Sequence, residues 1–538
     1  MQKPRIALDT HEVLNQPPEA GDRDLWADDR LLRQLIGEDI AARARLSDYG
    51  RELGQADLRA AARDANRFPP ELHLFDAGGR RLDELRFHPS YHRFMQLSVA
   101  AGYVGAAWEP GCGGHAGHAA MVYLASQVEP GHCCPLTMSY AASAVLREAE
   151  GFDIWRDGLK SRDYDPSIRP AGEKTGVTLG MAMTEKQGGS DVRRNTTRAV
   201  RDVDGWRLTG HKWFCSAPMS DGFLTLAQAP GGLSCFLVPR WLEGGRNTLR
   251  IMRLKDKLGN RSNGSAEIEY DRTFAHLIGG EGDGVRVILR MVHHTRLDTS
   301  VAPAGLMRAA LREAHHWATH RNVFGKPLAD QPLMRAVLGD LALDWAGALA
   351  LSLHVARHFD GTEPEHRSFA RIGVAMAKYL ANKLCPLVVA EAMEALGGMG
   401  YVEDTLLPML YREAPLNGIW EGSGNVICLD ALRSLAKDPL SAEVLRDEIL
   451  AARGLDRHFD AALRAYDRRW RVAHLAEAEA RWFVEDSAVM LAASALLRVG
   501  VEDVAPAYAA TRLGAPRGRL AGALPQGAAD AVLARCFG

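Results

Sequence analysis

Apolar positions fall three and four residues apart along LLRQLIGEDIAARARL, residues 31–46, the spacing of an amphipathic helix. Helical texture continues to about residue 176. It is interrupted by loops at Pro69-Pro70 and Gly78-Gly79 and by the Pro-Gly break that ends MVYLASQVEP. Near Gly176 the pattern shortens. TGVTLGMAM, TTRAVRDV, GWRLTGHKWFCS, DGFLTLAQA, LSCFLVPR, TLRIMRL and SAEIEYD are brief runs, many β-branched or aromatic, separated by turn residues, which predicts a small barrel or sandwich. Asp204-Gly205 predicts a hairpin turn with both central residues at positive φ. After about Gly284 long helical periods return, and Pro303 predicts a bend or a helix start within them. The chain thus reads as mainly α with a central β-barrel. Its expected segments are a helical 1–176, a barrel 177–283, a helical 284–437 and a further helical 438–538.

Composition narrows the class. With 538 residues the chain is too long for one compact core. Apolar residues at 47% and charged residues at 25% are ordinary for a globular protein. A net charge of −2 means that any nucleic-acid contact must come from a local patch. The eight cysteines contain no C-x-x-C pair, and Cys133-Cys134 is their one cluster. Buried reduced thiols are therefore expected, with no metal site. The N-terminal residues lack an apolar signal region, and no uninterrupted apolar run reaches the ~20 residues of a membrane span. A cytoplasmic location with no membrane contact is the expectation.

Three segments carry candidate chemistry. The first, Met181-Ala182-Met183-Thr184-Glu185-Lys186-Gln187-Gly188-Gly189-Ser190-Asp191, leaves a strand and enters a two-glycine loop. Such a loop brings backbone N–H groups and hydroxyls close to a flat or anionic ligand, or forms an ordinary turn. The second is Gly210-His211-Lys212-Trp213-Phe214-Cys215-Ser216. Strand alternation puts Trp213 and Cys215 on one side, and Phe214 and Ser216 on the other. An aromatic beside a hydroxyl suits a large polar-edged ring, and equally suits core packing. The third, Ile419-Trp420-Glu421-Gly422-Ser423-Gly424-Asn425, sets a carboxylate before a small-residue turn. It fits a general base at a cavity wall, or a helix start capped by Ser423 or Asn425.

In order and spacing, these segments resemble the acyl-CoA dehydrogenase superfamily over roughly residues 80–437. RNVFGKPLADQPLM, beginning at Arg321, resembles the family's segment that reaches the ADP half of FAD on a neighbouring subunit. EALGGMGY, Glu394 to Tyr401, resembles its glycine pair that packs on a partner's cofactor. The resemblance implies FAD as cofactor and a homotetramer. Thr184 and Ser190 would bond the flavin and its phosphates, aided by Met181, Ala182, Met183, Gly188 and Gly189. Phe214, Cys215 and Ser216 would line the ring, and Arg321 would offer charge to a pyrophosphate. Ile419, Trp420, Gly422, Ser423, Gly424, Asn425 and Leu429 would close over the cofactor. Glu421 would be the general base that removes the proton α to a thioester carbonyl. Some members carry the base on an earlier helix, just before an arginine; here that position is Thr295, before Arg296. Arg296 is also a plausible structural partner for Glu421.

Within the superfamily, the wording from NQPPEA to IWEGSGNVICLDALR resembles a branch tied to the adaptive response to DNA alkylation. That resemblance implies a C-terminal helical domain that binds double-stranded DNA, with protection from or destruction of alkylating small molecules, and weak activity on isovaleryl-CoA-like acyl-CoA. Candidate phosphate contacts are Arg433, Arg464, Arg468, Arg469, Arg471, Arg512, Arg517 and Arg519. Charge alone does not carry this, because residues 441–538 hold equal numbers of arginines and acidic residues. Lys186-Gln187, Trp420, Gly424-Asn425 and Glu394 depart from ordinary acyl-CoA dehydrogenases. A metabolic short- or branched-chain dehydrogenase and a flavin-stabilised interaction protein without turnover remain the alternatives.

Overall fold

The computed structural model describes residues 4–470, 475–514 and 528–537. The stretch predicted as one early helix is two, Arg30–Ile36 and Ile40–Leu53, because Gly37 turns the chain at φ 75°. Asp29 and Asp39 cap them by accepting from Leu32 N and Ala42 N, as short acidic side chains do at helix starts. Helix Ala56–Arg67 leads into a β-hairpin, Glu71–Phe75 paired with Arg81–Arg86, inside a segment read from sequence as helical. The hairpin turn is built by Asp76 Oδ1, which accepts from Gly78 N and Arg80 N at 2.9 Å each. The hairpin docks on the barrel: Asp83 Oδ1 accepts from Ile251 N at 2.9 Å, and Leu85 enters the barrel core. Helices Pro89–Ala100, Gly114–Ser126, Cys133–Leu146 and Asp153–Lys160 complete this region.

The middle of the chain is a sheet closed on itself. Strand Gly205–Ser216 pairs with Arg198–Asp202 and with Ser265–Ile278. Ser265–Ile278 in turn pairs with Gly232–Pro239, and that strand with Gly222–Ala229, which meets Arg198–Asp202 and closes the ring. Leu249–Leu254 adds to Ser265–Ile278, and Leu179–Ala182 lies parallel on Gly222–Ala229. The predicted hairpin exists one residue out of place. Asp202 pairs with Gly205, so Val203-Asp204 forms the turn and Gly205, at φ 151°, begins the next strand.

The remaining helices form one continuous apolar core with the N-terminal ones. Gly284–His320 runs unbroken through Pro303, contrary to the expected bend or start. The proline leaves the Thr299 carbonyl without its usual helical donor, and Asn382 Nδ2 takes it at 2.9 Å. Helices Pro332–His358 and Pro364–Ala395 are long and apolar enough to cross a membrane by length and composition, yet 83% and 78% of their apolar windows are buried inside the protein. Beyond Gly424–Lys437, helices Pro439–Leu450, Arg457–Arg469, Ala480–Val499, Val504–Tyr508 and Ala528–Phe537 follow. They are not a detached unit: the Tyr508 ring occupies the space a Cβ at Gly347 would need.

Candidate active site

The loop after strand Leu179–Ala182 is fixed by a buried ion pair. Lys212 Nζ lies 2.8 Å from Glu185 Oε1, both side chains sealed from solvent. Glu185 also accepts from Thr196 N at 2.7 Å, Thr197 N at 3.2 Å and Gln187 Nε2 at 2.7 Å. Burial alone would raise this carboxylate, but Lys212 and the surrounding donors outweigh it and hold it at about 2. Burial pulls Lys212 down to about 8 against the support of Glu185. Trp213 N donates to Thr184 O at 2.8 Å, so the loop and the strand Gly205–Ser216 lie side by side. Gly189 is required here: a Cβ on it would meet Thr184 Oγ1 at 2.7 Å.

Around this seam the predicted residues separate. Thr184 and Met181 are half-buried, Gly188 and Ser190 are exposed, and the Phe214 ring is 47% exposed, an unusual amount for an aromatic on a barrel strand. Ser216 Oγ lies 3.0 Å from Ser265 Oγ. Two of them turn their side chains inward. The Cys215 side chain enters the barrel core, where burial pushes the thiol up to about 12. The Ala182 side chain is equally buried, and its carbonyl is taken by Thr225 Oγ1 at 2.6 Å. The Met183 carbonyl is taken by Asn195 Nδ2 at 2.9 Å.

Glu421 stands in the turn just before helix Gly424–Lys437. Its backbone is left-handed, φ 58°, a conformation that non-glycine residues hold only when their surroundings impose it. Arg296 Nε donates to its carbonyl at 3.1 Å, and Lys378 Nζ holds the carbonyls of Asn417 at 2.5 Å and Trp420 at 3.1 Å. The guanidinium of Arg296 is directed to Asp430 at 2.5 Å, and Arg371 forks the same carboxylate at 2.7 and 2.8 Å. Arg296 therefore anchors the loop and leaves the Glu421 carboxylate free of an ion pair. That carboxylate receives Thr295 Oγ1 at 2.7 Å. Burial raises Glu421 above the ordinary carboxylate value, opposed by Thr295, Lys378 and Arg296. Burial also lowers Lys378 to about 7.

Burial pushes the Cys134 thiol up to about 12, with Lys257 opposing the rise and Glu421 adding to it. Burial raises Glu413 to about 7, and its carboxylate accepts from Asn260 N at 2.5 Å and Asn260 Nδ2 at 3.0 Å. Sequence reasoning passed over Lys212, Lys378, Glu413 and Lys257. Of these, Lys212 stood inside a quoted motif. Gly422, at φ 103°, and Ser423 follow Glu421. Ser423 is the N-cap residue of Gly424–Lys437 without a side-chain cap bond. Ile419 is 66% exposed, Asn425 is exposed, and Trp420 Nε1 donates to Asn417 Oδ1 at 2.7 Å. Leu429 is half-buried on the same helix. Arg321 lies at the end of Gly284–His320 and donates to Asn15 O at 2.7 Å.

The C-terminal arginines divide as sharply. Arg512 is corrected: it is buried, with ion pairs of 2.5 Å to Asp340 and 2.6 Å to Asp344, and so serves as an internal crosslink. Arg469 pairs with Glu479 at 3.3 Å and stacks on Trp482 at 3.5 Å from the ring centre. Arg433, Arg464 and Arg468 are exposed. Arg471, Arg517 and Arg519 lie outside the described residues.

A barrel between helical layers, with a glycine loop, an exposed strand aromatic and a propped carboxylate converging, defines a protein of acyl-CoA dehydrogenase type. Family models agree: the acyl-CoA dehydrogenase middle domain matches residues 180–273, and its C-terminal domain matches residues 282–436. The adaptive response protein AidB N-terminal domain matches residues 15–166. The chain is 45% identical over 471 residues to the putative acyl-CoA dehydrogenase AidB of Escherichia coli, covering 86% of this chain and 87% of that protein. It is 34% identical to acyl-CoA dehydrogenase family member 11 of Caenorhabditis elegans, covering 75% of this chain and 69% of that protein. The crystal structure of Caenorhabditis elegans ACDH-11 in complex with C11-CoA superposes with TM-score 0.81 at 26% identity, covering 96% of this chain and 92% of that one. The apo form of Bd2924 gives TM-score 0.80 at 28% identity, covering 89% and 99%. The chain belongs to the acyl-CoA dehydrogenase family, in its AidB-like branch.

Proposed function

We propose that this chain is a FAD-dependent acyl-CoA oxidoreductase of low turnover in which Glu421 is the general base. The observation that carries the reading is the Glu421 carboxylate, propped by Thr295 on a strained backbone and with no ion pair among the described residues. The residues at the seam fit a flavin. Gly189 leaves room beside the Thr184 hydroxyl, Phe214 is 47% exposed with the Lys255 ammonium 4.7 Å over its ring, and Ser216 offers a hydroxyl. Thr184, Ser190, Phe214 and Ser216 would hold the cofactor, which when bound supplies the acceptor for a β-hydride. Glu421 removes the α-proton of a thioester, and its raised pKa matches the weak acidity it must address. The relative ACDH-11, solved with C11-CoA, supports an acyl-CoA ligand here. Phe324 at 95%, Leu333 at 82% and Tyr401 at 83% exposure, all in segments resembling the family's cofactor-sharing contacts, support a homotetramer. The test is anaerobic mixing of the yellow protein with isovaleryl-CoA. Loss of flavin absorbance in the native protein, and not in Glu421→Gln, supports the reading; equal bleaching by both would remove Glu421 from it.

A second reading adds protection of double-stranded DNA against alkylating agents. It is favoured by the exposed guanidiniums of Arg433, Arg464 and Arg468. Duplex retention that falls steeply between about 50 and 200 mM salt supports it. Retention absent at low salt rejects it.

A further inference from the structure

Two histidines one helical turn apart, His354 and His358, leave the end of helix Pro332–His358 toward Glu448 on helix Pro439–Leu450. His354 Nε2 lies 2.8 Å from Glu448 Oε2, and His358 Nε2 lies 3.5 Å from Glu448 Oε1. One donor atom from each residue falls within 4.8 Å of the others, and all three side chains are half-buried, reachable from solvent. We infer that His354, His358 and Glu448 form a binding site for a zinc-like divalent cation at the seam between the dehydrogenase helices and the C-terminal helices.

The donor set supports this. Two imidazole nitrogens and one carboxylate oxygen are the ligands of open zinc sites, in which a water completes the tetrahedron. At bond lengths of about 2.0–2.2 Å, tetrahedral donors stand about 3.4 Å apart, so the present spacings need only small adjustments. Residues at i and i+4 project from one face of a helix, which is why both imidazoles meet the same carboxylate. The outer contacts are those of a built site. His358 Nδ1 lies 3.0 Å from Nδ1 of His366. When His358 donates that shared proton, its Nε2 faces Glu448 with a lone pair, an arrangement that a cation between them stabilises. Arg498 donates to Glu448 Oε2 at 2.5 Å and orients the carboxylate. The buried Phe369 ring packs against both imidazoles, with centroids 5.5 and 4.5 Å away, and fixes their planes. The motif HVARH was legible in the sequence, whereas its third ligand comes from a helix ninety residues on.

The test uses full-length flavin-loaded protein, stripped with a chelator and titrated with zinc sulfate in a calorimeter. Elemental analysis follows gel filtration. One zinc per chain is expected, together with a rise in melting temperature. The double variant His354→Asn/His358→Asn and, separately, Glu448→Gln are each expected to lose about a hundredfold or more in affinity. Glu448→Gln preserves shape and, with unchanged flavin content, guards against misfolding as the cause. Absence of zinc uptake by the native chain, or equal uptake by both variants, overturns the assignment.

Discussion

Thr295 Oγ1 lies 2.7 Å from Glu421 Oε2, so the side chain at the position where the resemblance puts an alternative base supports Glu421, the proposed base on the other loop. Burial raises the Glu421 pKa, and this hydrogen bond is the largest influence lowering it. Thr295→Val removes the donor and keeps the shape. The Glu421 pKa then rises further, and the base is protonated over a wider range. The acid limb of the rate of flavin reduction by acyl-CoA should move to higher pH, with a surviving alkaline plateau. Glu421→Gln should instead lower the plateau by about 10²–10⁴-fold at every pH, the usual contribution of a general base. Stopped-flow reduction across pH separates the two. An unmoved limb in Thr295→Val would exclude the titration of Glu421 as its origin.

Lys378 holds two successive parts of the same loop through the carbonyls of Asn417 and Trp420. It is a positioning residue. Lys378→Met leaves two carbonyls without their donor and frees the left-handed turn at Glu421. The expected outcome is a drop in the rate of flavin reduction with little change in flavin content. A fall in flavin content equal to the fall in rate would assign Lys378 a purely structural role.

The pair Lys212–Glu185 makes a stability prediction with a definite sign. Glu185 titrates at about 2 in the folded chain against an ordinary value of 4.5. Its contribution to stability is therefore complete above about 4.5 and is lost as pH falls through about 2. Lys212→Met leaves a buried carboxylate without its cation and should cost about 3–5 kcal/mol in denaturant unfolding. The double variant Glu185→Gln/Lys212→Met should recover much of that loss. A single variant as stable as the native chain would show that water, not protein, surrounds the pair.

The outline of the fold was legible because it rests on local period: the change from three-and-four spacing to short β-branched runs near Gly176 is visible in any window. The hairpin lay inside a stretch read as helical although ELHLF alternates and Gly78-Gly79 marks its turn; Leu72 and Leu85 are held against the barrel core. What else was missed depends on contacts distant in sequence. Pro303 reads as a helix break because the sequence cannot show that Asn382 supplies the missing donor. The turn at residues 203–204 was displaced by one because Gly205 serves the strand's first residue and not the turn. At the site, which side chains turn inward was set by strand alternation, and there Cys215 and Phe214 point opposite ways.

The arginines of the C-terminal region show the same limit and give the last prediction. Arg512 and Arg464 are indistinguishable by composition, yet Arg512 is enclosed between Asp340 and Asp344 while Arg464 is exposed. Arg512→Ala removes a guanidinium from beside two carboxylates, of which Asp340 is deeply buried, so unfolding should become easier. Where the chain remains folded, the salt dependence of duplex binding should not change, because a buried guanidinium neutralises no phosphate. Arg464→Gln/Arg468→Gln should do the reverse. These exposed cations on one face of helix Arg457–Arg469 leave stability within about 0.5 kcal/mol of native. Each phosphate contact removed should lower the log–log salt slope by about 0.9. Fluorescence anisotropy of a labelled duplex, titrated at several salt concentrations, measures the slope, and urea unfolding measures the rest. If Arg512→Ala reduced the slope and Arg464→Gln/Arg468→Gln did not, the DNA-facing surface would lie elsewhere on the molecule.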